Sequence, residues 1–331
     1  MLLDKKRLKE ALAILSRDAK VLVPMEVDGV AKFTPWDGQK LPSLDMINTT
    51  LPPKDALFPQ TEKMYNFTTG PNAQIAEVQG TEKQVLFGVR SCDARSIDCM
   101  DKAFLTGTFG DSFYSKKREN LTIIAVGCVK TGPFCFCDSM GLDPSSAPNA
   151  DVQLADLGDA YAVTAQTERG TAVLDQWKSL LTEGEGDAPK PKCVLQVSVP
   201  EDFPKKLMGM FEHPIWDEVS KPCLGCGTCT YVCPTCYCFD INAEKHGHEG
   251  TEFRCWDSCM FSDYARMAGG HNPRPSKKER VRNRYLHKLA YFHEQHGQLL
   301  CVGCGRCVQK CPSNMDITRF IDMAGEAMNN G

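Results

Sequence analysis

The sequence contains two copies of one cysteine spacing, and this repeat constrains the fold more than any other feature. Each copy reads C-x2-C-x2-C-x3-C-P, so a proline always follows the last cysteine. The first cysteine run is Cys223, Cys226, Cys229 and Cys233, and the second cysteine run is Cys301, Cys304, Cys307 and Cys311. Each run must wrap its backbone closely around whatever its sulfurs hold.

This spacing predicts two [4Fe–4S] clusters. In such runs three thiolates bind one cluster and the fourth binds the neighbouring cluster. The x2 steps carry the backbone around one corner of a cube, whereas the x3 step and the proline direct the last thiolate away. We therefore predict Cys223, Cys226, Cys229 and Cys311 as ligands of cluster 1, and Cys301, Cys304, Cys307 and Cys233 as ligands of cluster 2. Two clusters that each take one ligand from the other's cysteine run must be close together. Closely spaced clusters indicate electron transfer.

Zinc and disulfides are the alternatives for these cysteines. Zinc also binds C-x2-C pairs, but four cysteines spaced x2, x2, x3 are too crowded for one tetrahedral S4 site. Eighteen cysteines in 331 residues is a lower fraction than in small disulfide scaffolds. The charged N-terminal segment predicts an amphipathic helix rather than a signal peptide. We therefore expect a reducing cytoplasm, where cysteine clusters bind metals more often than they form disulfides.

Four further cysteines lie in the first half of the chain. Cys92 and Cys128 each follow a predicted strand, where loops converge at one edge of a sheet, and Cys135 and Cys137 lie in the glycine-flanked segment GPFCFCDSMG. Four thiolates at one edge are candidates for a third [4Fe–4S] cluster. Zinc binding, or simple burial as small hydrophobes, are the alternatives.

A third set of cysteines follows the first cysteine run directly. It consists of Cys236 and Cys238 in PTCYCFD, and Cys255 and Cys259 in CWDSCMF. These thiols are candidates for binding another metal. Alternatively, they shape the surroundings of the neighbouring cluster and so tune its potential.

The other cysteines, histidines and basic residues give weaker signals. Cys99 lies in a helical pattern and Cys193 opens an apolar strand, so both are predicted core residues. The basic residues within 274–288 form either a solvated helix face, a docking surface for an acidic partner, or a charge offset for the clusters. His246 and His248 flank a glycine in a polar loop and are expected to be solvated.

The bulk composition is that of an ordinary globular protein, with 42% hydrophobic and 24% charged residues. A net charge of −4 gives no sign of nucleic-acid binding. No apolar run approaches the roughly 20 residues of a membrane span. We find no G-x-G-x-x-G after a strand, no P-loop and no G-x-S-x-G, so no FAD or NAD site is predicted on this chain.

The predicted fold class is α+β, with an α/β-type domain at 1–215 and an α-helical ferredoxin domain with two clusters at 216–331. Helical spacing of Leu8, Leu12 and Leu15 predicts a first helix, and Asp28-Gly29 predicts a hairpin turn. Strands are predicted for QVLFGVR, LTIIAVGC, DAYAVTAQTERGTAVL and CVLQVSV, and a helix for SIDCMDKAFL. Between the cysteine runs, a helix is predicted in SKKERVRNRYLHKLAYFHEQHG beside a loop rich in glycine and histidine.

Several stretches together resemble a known family of iron–sulfur electron-transfer subunits. The family includes the sulfhydrogenase beta subunit, an iron–sulfur subunit of anaerobic sulfite reductase, and the iron–sulfur subunit of flavin oxidoreductases that accompany heterodisulfide reductase. The matching stretches, spread over about residues 50–320, are PPKDALFPQTE, GVRSCDARSIDCMDKAF, FCFCDSMG, CGTCTYVCPTCYCFD, WDSCMF, AGGHNPRPSKKERVRNRYLHKLAYF and CVGCGRCVQKCP.

We interpret the chain as a cytoplasmic electron-transfer subunit that performs no bond chemistry itself, and the resemblance adds its expected partners. It implies that a separate FAD subunit, usually reactive with NAD(P)H, exchanges electrons with this chain, and that a terminal reductase or hydrogenase is the other partner. Two alternatives remain open. One is a self-contained reductase of a small sulfur substrate, and the other is a zinc-stabilised interaction scaffold.

Overall fold

Two β-sheets organise the residues that the structure, a computed structural model, describes, namely 1–78, 80 and 82–330. The strands are β1 (Leu2–Asp4), β2 (Lys20–Val27), β3 (Val30–Pro35), β4 (Thr61–Thr68), β5 (Gln74–Glu77), β6 (Gln84–Val89), β7 (Leu121–Val126), β8 (Val152–Asp156), β9 (Ala160–Ala165), β10 (Leu181–Thr182), β11 (Phe239–His246) and β12 (Glu249–Trp256). The helices are α1 (Leu8–Leu15), α2 (Ser91–Leu105), α3 (Ser112–Glu119), α4 (Glu168–Trp177), α5 (Phe203–Gly209), α6 (Ile215–Ser220), α7 (Thr228–Tyr231), α8 (Lys277–Leu286), α9 (Phe292–His296), α10 (Arg306–Gln309) and α11 (Ile317–Asn330). None of these helices is both long and apolar enough to cross a membrane.

The larger sheet has the strand order β10-β1-β9-β8-β7-β6-β2-β3 within the described residues. Its centre, from β2 through β6 and β7 to β8, is parallel, and the outer pairs are antiparallel. The apolar strands β6 and β7 are buried, as is typical of parallel strands covered on both faces. Their carboxyl ends meet at one edge, which brings the loops after Val89 and Val126 together.

The mixed α/β architecture is confirmed, and so are several individual elements. Leu8, Leu12 and Leu15 are buried on one face of α1. Strands β2 and β3 form the predicted hairpin, and Asp28 (φ 52°) and Gly29 (φ 74°) take the left-handed conformations that a tight two-residue turn requires.

Other predictions for local structure were wrong. CVLQVSV contains no strand, and its backbone instead bonds to side chains of the segment after Cys137. The second half of DAYAVTAQTERGTAVL forms α4, because the Thr167 hydroxyl accepts a hydrogen bond from the Gly170 amide and caps that helix. The loop rich in glycine and histidine is the β11–β12 hairpin, which turns at Gly247.

The smaller sheet joins distant parts of the chain, in the order β11-β12-β4-β5. The buried Arg254 on β12 donates from Nε to Glu62 Oε2 of β4 at 2.7 Å and from Nη1 to Asp111 Oδ2 at 2.5 Å. Two strands from each side of residue 215 therefore share one sheet. The domain boundary at 215 stays a prediction, since packing runs continuously across it.

The carboxyl-terminal helices build a separate hydrophobic core. Trp216, Tyr285 and Phe320 are fully buried, and the Phe320 ring lies 4.9 Å from Trp216 and 4.6 Å from Tyr285, centroid to centroid. Helix α8 continues through a π-helical turn at His287–Tyr291 into α9, which forms the predicted basic helix. This core supports both cysteine runs.

A buried ion pair joins the second cysteine run to helix α2, which follows strand β6 of the larger sheet. Arg306, between Cys304 and Cys307, donates to both carboxylate oxygens of Asp93 on α2, at 2.7 and 3.2 Å. Its Nε donates to the Thr49 carbonyl at 2.6 Å. Both charged side chains are 1% exposed, so the geometry and the additional hydrogen bonds must offset their desolvation.

We predict that Asp93→Asn destabilises the chain by about 3–5 kcal/mol, because it leaves the Arg306 guanidinium buried without a counter-charge. Anaerobic urea unfolding measures the change. The matched control is Asp263→Asn, which breaks the exposed pair with Arg266 and should change the free energy of unfolding by less than about 0.5 kcal/mol. Equal effects of the two substitutions would contradict the role of the buried pair.

Candidate metal centre

The two cysteine runs have the same backbone geometry. In each run a left-handed glycine follows the first x residue, Gly225 (φ 70°) in one and Gly303 (φ 62°) in the other. A second left-handed glycine, Gly227 or Gly305, then begins the short helix α7 or α10 that carries the third cysteine. Glycine adopts this conformation without strain. The sequence repeat is therefore a structural repeat, and α7 packs against α10.

The cysteines predicted for cluster 1 line one cleft. Its walls include Cys223, Cys226 and Cys229 of the first run and Cys311 of the second. Backbone amides point at two of the sulfurs: Gly225 N–H donates to Cys223 Sγ at 3.3 Å, and Met315 N–H donates to Cys311 Sγ at 3.2 Å. Amides that donate to sulfur stabilise thiolates and shift cluster potentials.

The cysteines predicted for cluster 2 are neighbours, with Cys233 and Cys304 buried and Cys301 and Cys307 partly buried. Burial, followed by the nearby Cys307 and Cys233 thiols, raises the pKa of Cys301 to about 12. Burial also raises the pKa of Cys304 to about 12, and Cys233 and Cys307 again contribute. The fourth cysteine of the first run thus lies with the first three of the second run.

The two cysteine groups adjoin each other. Burial raises the pKa of Cys229 to about 11, and Cys307 and Cys223 add to the rise. Arg284 of α8 opposes the rise at both Cys229 and Cys307, so its guanidinium lies between the groups. In the described part of the chain no three His, Cys, Asp or Glu side chains stand at the spacing of a single bound ion.

Three cationic side chains are buried around these sulfurs, and their partners indicate whether the site fits an anionic cluster. Arg284 is 3% exposed, and its Nε and Nη2 have no hydrogen-bond partner. Lys288 is 2% exposed and donates to Thr235 Oγ1 at 2.8 Å. Lys54 is equally buried, donates to the Cys236 carbonyl at 2.8 Å, and lies 4.0 Å from the centre of the Trp256 ring.

Among residues 1–78, 80 and 82–330, none of these three cations forms an ion pair with a carboxylate. Buried charges are normally paired or coordinated to metals. Protonated thiols supply no counter-charge, whereas metal binding deprotonates them and leaves a negative centre. The residues therefore fit [4Fe–4S] clusters held by thiolates.

The structure gathers three of the four candidate cysteines of the N-terminal half. Cys128, Cys135 and Cys137 are mutual neighbours, and Cys193, from a distant segment, lies among them. The Cys137 and Cys193 sulfurs are 3.6 Å apart. Cys92 is buried in a different apolar cluster.

The structure also separates the four members of the third cysteine set. Cys236 lies beside Cys233, and Cys238 beside Cys259, whose thiol hydrogen bond lowers the pKa of Cys238. Cys255 lies on β12, where its sulfur accepts a weak contact from Asn242 Nδ2 at 3.6 Å. Whether any of these four binds metal stays a prediction.

Sequence reasoning missed Cys193 and Lys54 as residues of this region, and it gave Arg284 and Lys288 a charge offset for the clusters as only one of three alternatives. Cys193 carried no signal, because it is 56 residues from Cys137 and lies in an irregular segment. Arg284 and Lys288 had one signal, since they lie four residues apart in line with apolar positions of the helix. That spacing places them on the buried face rather than in solvent.

Comparisons with known proteins support iron–sulfur binding by this chain. Residues 222–315 match the family described as a 4Fe-4S dicluster domain. The chain is 30% identical over 324 residues to a protein of Pyrococcus furiosus named sulfhydrogenase 2 subunit beta, and the alignment covers 95% of each chain. No solved structure matches the chain. The chain therefore belongs to the sulfhydrogenase beta-subunit family of iron–sulfur electron-transfer subunits.

Proposed function

We propose that the chain relays electrons within a cytoplasmic redox complex, between a subunit that binds FAD and reacts with NAD(P)H and a terminal reductase or hydrogenase. The terminal reaction would involve sulfite, sulfur, a heterodisulfide or hydrogen. The observation that carries the proposal is the pair of adjoining four-cysteine groups with buried cations between them. Bound [4Fe–4S] clusters supply one-electron redox chemistry.

In this proposal, each cysteine run contributes to both centres. Cys223, Cys226, Cys229 and Cys311 hold one cluster, and Cys301, Cys304, Cys307 and Cys233 hold the other. The short helices α7 and α10 position the third cysteine of each run, and their mutual packing keeps the two groups adjacent. The buried cations favour the additional negative charge of a reduced centre.

The exposure of the two groups suggests where a partner approaches. Cys226 is exposed and Leu224 beside it is 67% exposed, whereas Cys304 is buried. The first group is therefore the one nearer the surface, and we propose that a partner protein docks there. We assign the flavin and NAD(P)H sites to that partner or to another component of the complex, because this chain shows none of the corresponding sequence motifs.

The alternative is a self-contained reductase of a small sulfur substrate. It requires a cluster with an open iron, and the eight cysteines of the two runs provide four ligands for each centre. The observations therefore favour the relay. A zinc-stabilised scaffold is the remaining alternative, and it lacks the acid-labile sulfide that iron–sulfur clusters release.

We expect the purified chain to contain iron and acid-labile sulfide and to take up electrons reversibly from a reduced viologen dye, because its cysteines hold redox centres. By itself it should not turn over sulfite or a disulfide. Anaerobic titration followed by EPR measures the uptake, and product analysis measures turnover. Sustained turnover by the isolated chain would favour the self-contained reductase, and zinc without sulfide would favour the scaffold.

Combined substitutions test whether the fourth cysteine of each run binds the cluster of the other run. Cys223→Ala and Cys311→Ala should each remove one cluster, about four iron atoms, and the double variant should lose no more than either single variant. Combining Cys311→Ala with Cys301→Ala should instead remove about eight iron atoms. Iron analysis after anaerobic purification measures the difference. The reverse pattern of additivity would mean that each run binds its own cluster.

The buried charge of Arg284 should raise the reduction potential of the centres, because a nearby cation favours the extra electron. We predict that Arg284→Gln lowers at least one potential by on the order of tens of millivolts, measured by EPR-monitored redox titration. Lys277→Gln is the matched control, since it removes one exposed positive charge from the same helix. Equal potentials in both variants would show that Arg284 has no electrostatic role.

A further inference from the structure

Two separate segments bring four cysteines to one place in the N-terminal half. Cys128, Cys135 and Cys137 lie in the loop after β7, and Cys193 comes from the irregular segment before α5. Cys135, Cys137 and Cys193 are at most 9% exposed and form one cluster of buried side chains. Burial, then the thiol of Cys193, raises the pKa of Cys137. Cys193 is also among the thiols nearest Cys128 and Cys135.

Hydrogen bonds fix the segment around Cys193 against the loop that carries Cys137. The Cys193 N–H donates to Asp138 Oδ2 at 2.9 Å, and the Val197 N–H donates to Ser139 Oγ at 3.0 Å. On the other side, Thr131 Oγ1 donates to the Lys192 carbonyl at 3.0 Å. These contacts hold the Cys193 thiol in its place independently of any attraction between sulfurs.

Cys92 occupies a different position. It lies in the first turn of α2, in an apolar cluster with Cys99, Leu300 and Cys304. After burial and Asp93, the groups that act on it are Arg306 and Cys304, and Cys137 comes after them. Cys92 therefore lies between the two sites instead of among the N-terminal thiols.

A buried cation accompanies the N-terminal thiols, as at the dicluster site. Arg90 is 8% exposed, and its guanidinium donates to carbonyl oxygens, including those of Val126 at 3.3 Å and Met46 at 2.7 Å. It opposes the rise in the pKa of Cys128. In the described residues Arg90 has no ion pair with a carboxylate, so an anionic centre at Cys128 would supply its counter-charge.

The same loop touches the second cysteine run through two glycines. The Phe136 N–H donates to the Gly303 carbonyl at 2.9 Å. A Cβ on Gly303 would lie 2.5 Å from Cys137 Cα, and one on Gly305 would lie 2.3 Å from the Phe134 carbonyl oxygen. Only glycine permits this approach, so the N-terminal thiols lie next to the cluster 2 cysteines.

We propose that Cys128, Cys135, Cys137 and Cys193 ligate a third [4Fe–4S] cluster, with Cys193 in place of Cys92. The choice of an iron–sulfur cluster over zinc rests on the proposed function, since a centre that abuts the second cysteine run extends an electron path. Cys128 also lines a cavity of about 420 Å³. The third centre therefore places one end of the electron path beside this cavity.

The test compares two buried cysteines. Cys193→Ala should lower the iron and acid-labile sulfide of the anaerobically purified full chain by about a third, and remove one spin system from the EPR spectrum of the reduced protein. Cys92→Ala should keep the full iron content. Cys137→Ala should reproduce the loss seen with Cys193→Ala, and the pair combined should lose no more than either alone.

Each other outcome overturns the assignment. Full iron content in Cys193→Ala together with loss in Cys92→Ala would return the fourth ligand to Cys92. Full iron content in Cys137→Ala would mean that the chain has no third cluster. Loss of one zinc atom instead of iron from Cys193→Ala or Cys137→Ala would identify a zinc site. In all three cases about eight iron atoms remain on the two cysteine runs, so the relay proposal stands. A chain without iron would refute the relay itself.

Discussion

The ion pair between Arg306 and Asp93 determines how the two parts of the chain meet. Arg306 belongs to the second cysteine run and Asp93 to the first turn of α2, so one interaction fixes a cysteine loop against the edge of the larger sheet. Both groups are buried, and an imperfect fit would cost several kcal/mol. The fit places Gly303 and Gly305 directly on the loop that carries Cys135 and Cys137. The adjacency of the second cysteine run and the N-terminal thiols follows from it.

Charge balance explains a second property of this region. Arg284, Lys288, Lys54 and Arg90 are all buried near sulfur atoms, and among the described residues none is paired with a carboxylate. Burial raises the pKa of most neighbouring thiols, so a chain without metal would hold cations in an environment with little opposing charge. Cluster binding removes this imbalance. Metal affinity and folding stability are therefore coupled in this protein.

The parts of the structure that sequence could predict are those encoded locally. The two cysteine runs, the Asp28-Gly29 hairpin and the Leu8–Leu15 helix depend on spacing over a few residues. The β4–β12 pairing could not be predicted, because its strands are largely polar and their ion-paired residues are 192 positions apart. The position of Cys193 could not be predicted for a similar reason. Hydrogen bonds to side chains, rather than a regular β-ladder, hold its segment in place. The ligand sets at the individual cysteines remain predictions.

The smaller sheet has a consequence for how the protein is made. Strand β4 emerges early during synthesis, but its partner β12 follows only after nearly two hundred further residues. Until then the edge of β4 is open, and an unpaired edge invites pairing with other chains. The smaller sheet therefore cannot be completed until the second half of the chain has been synthesised. It closes late, at about the time the cysteines of both halves become available for cofactor delivery.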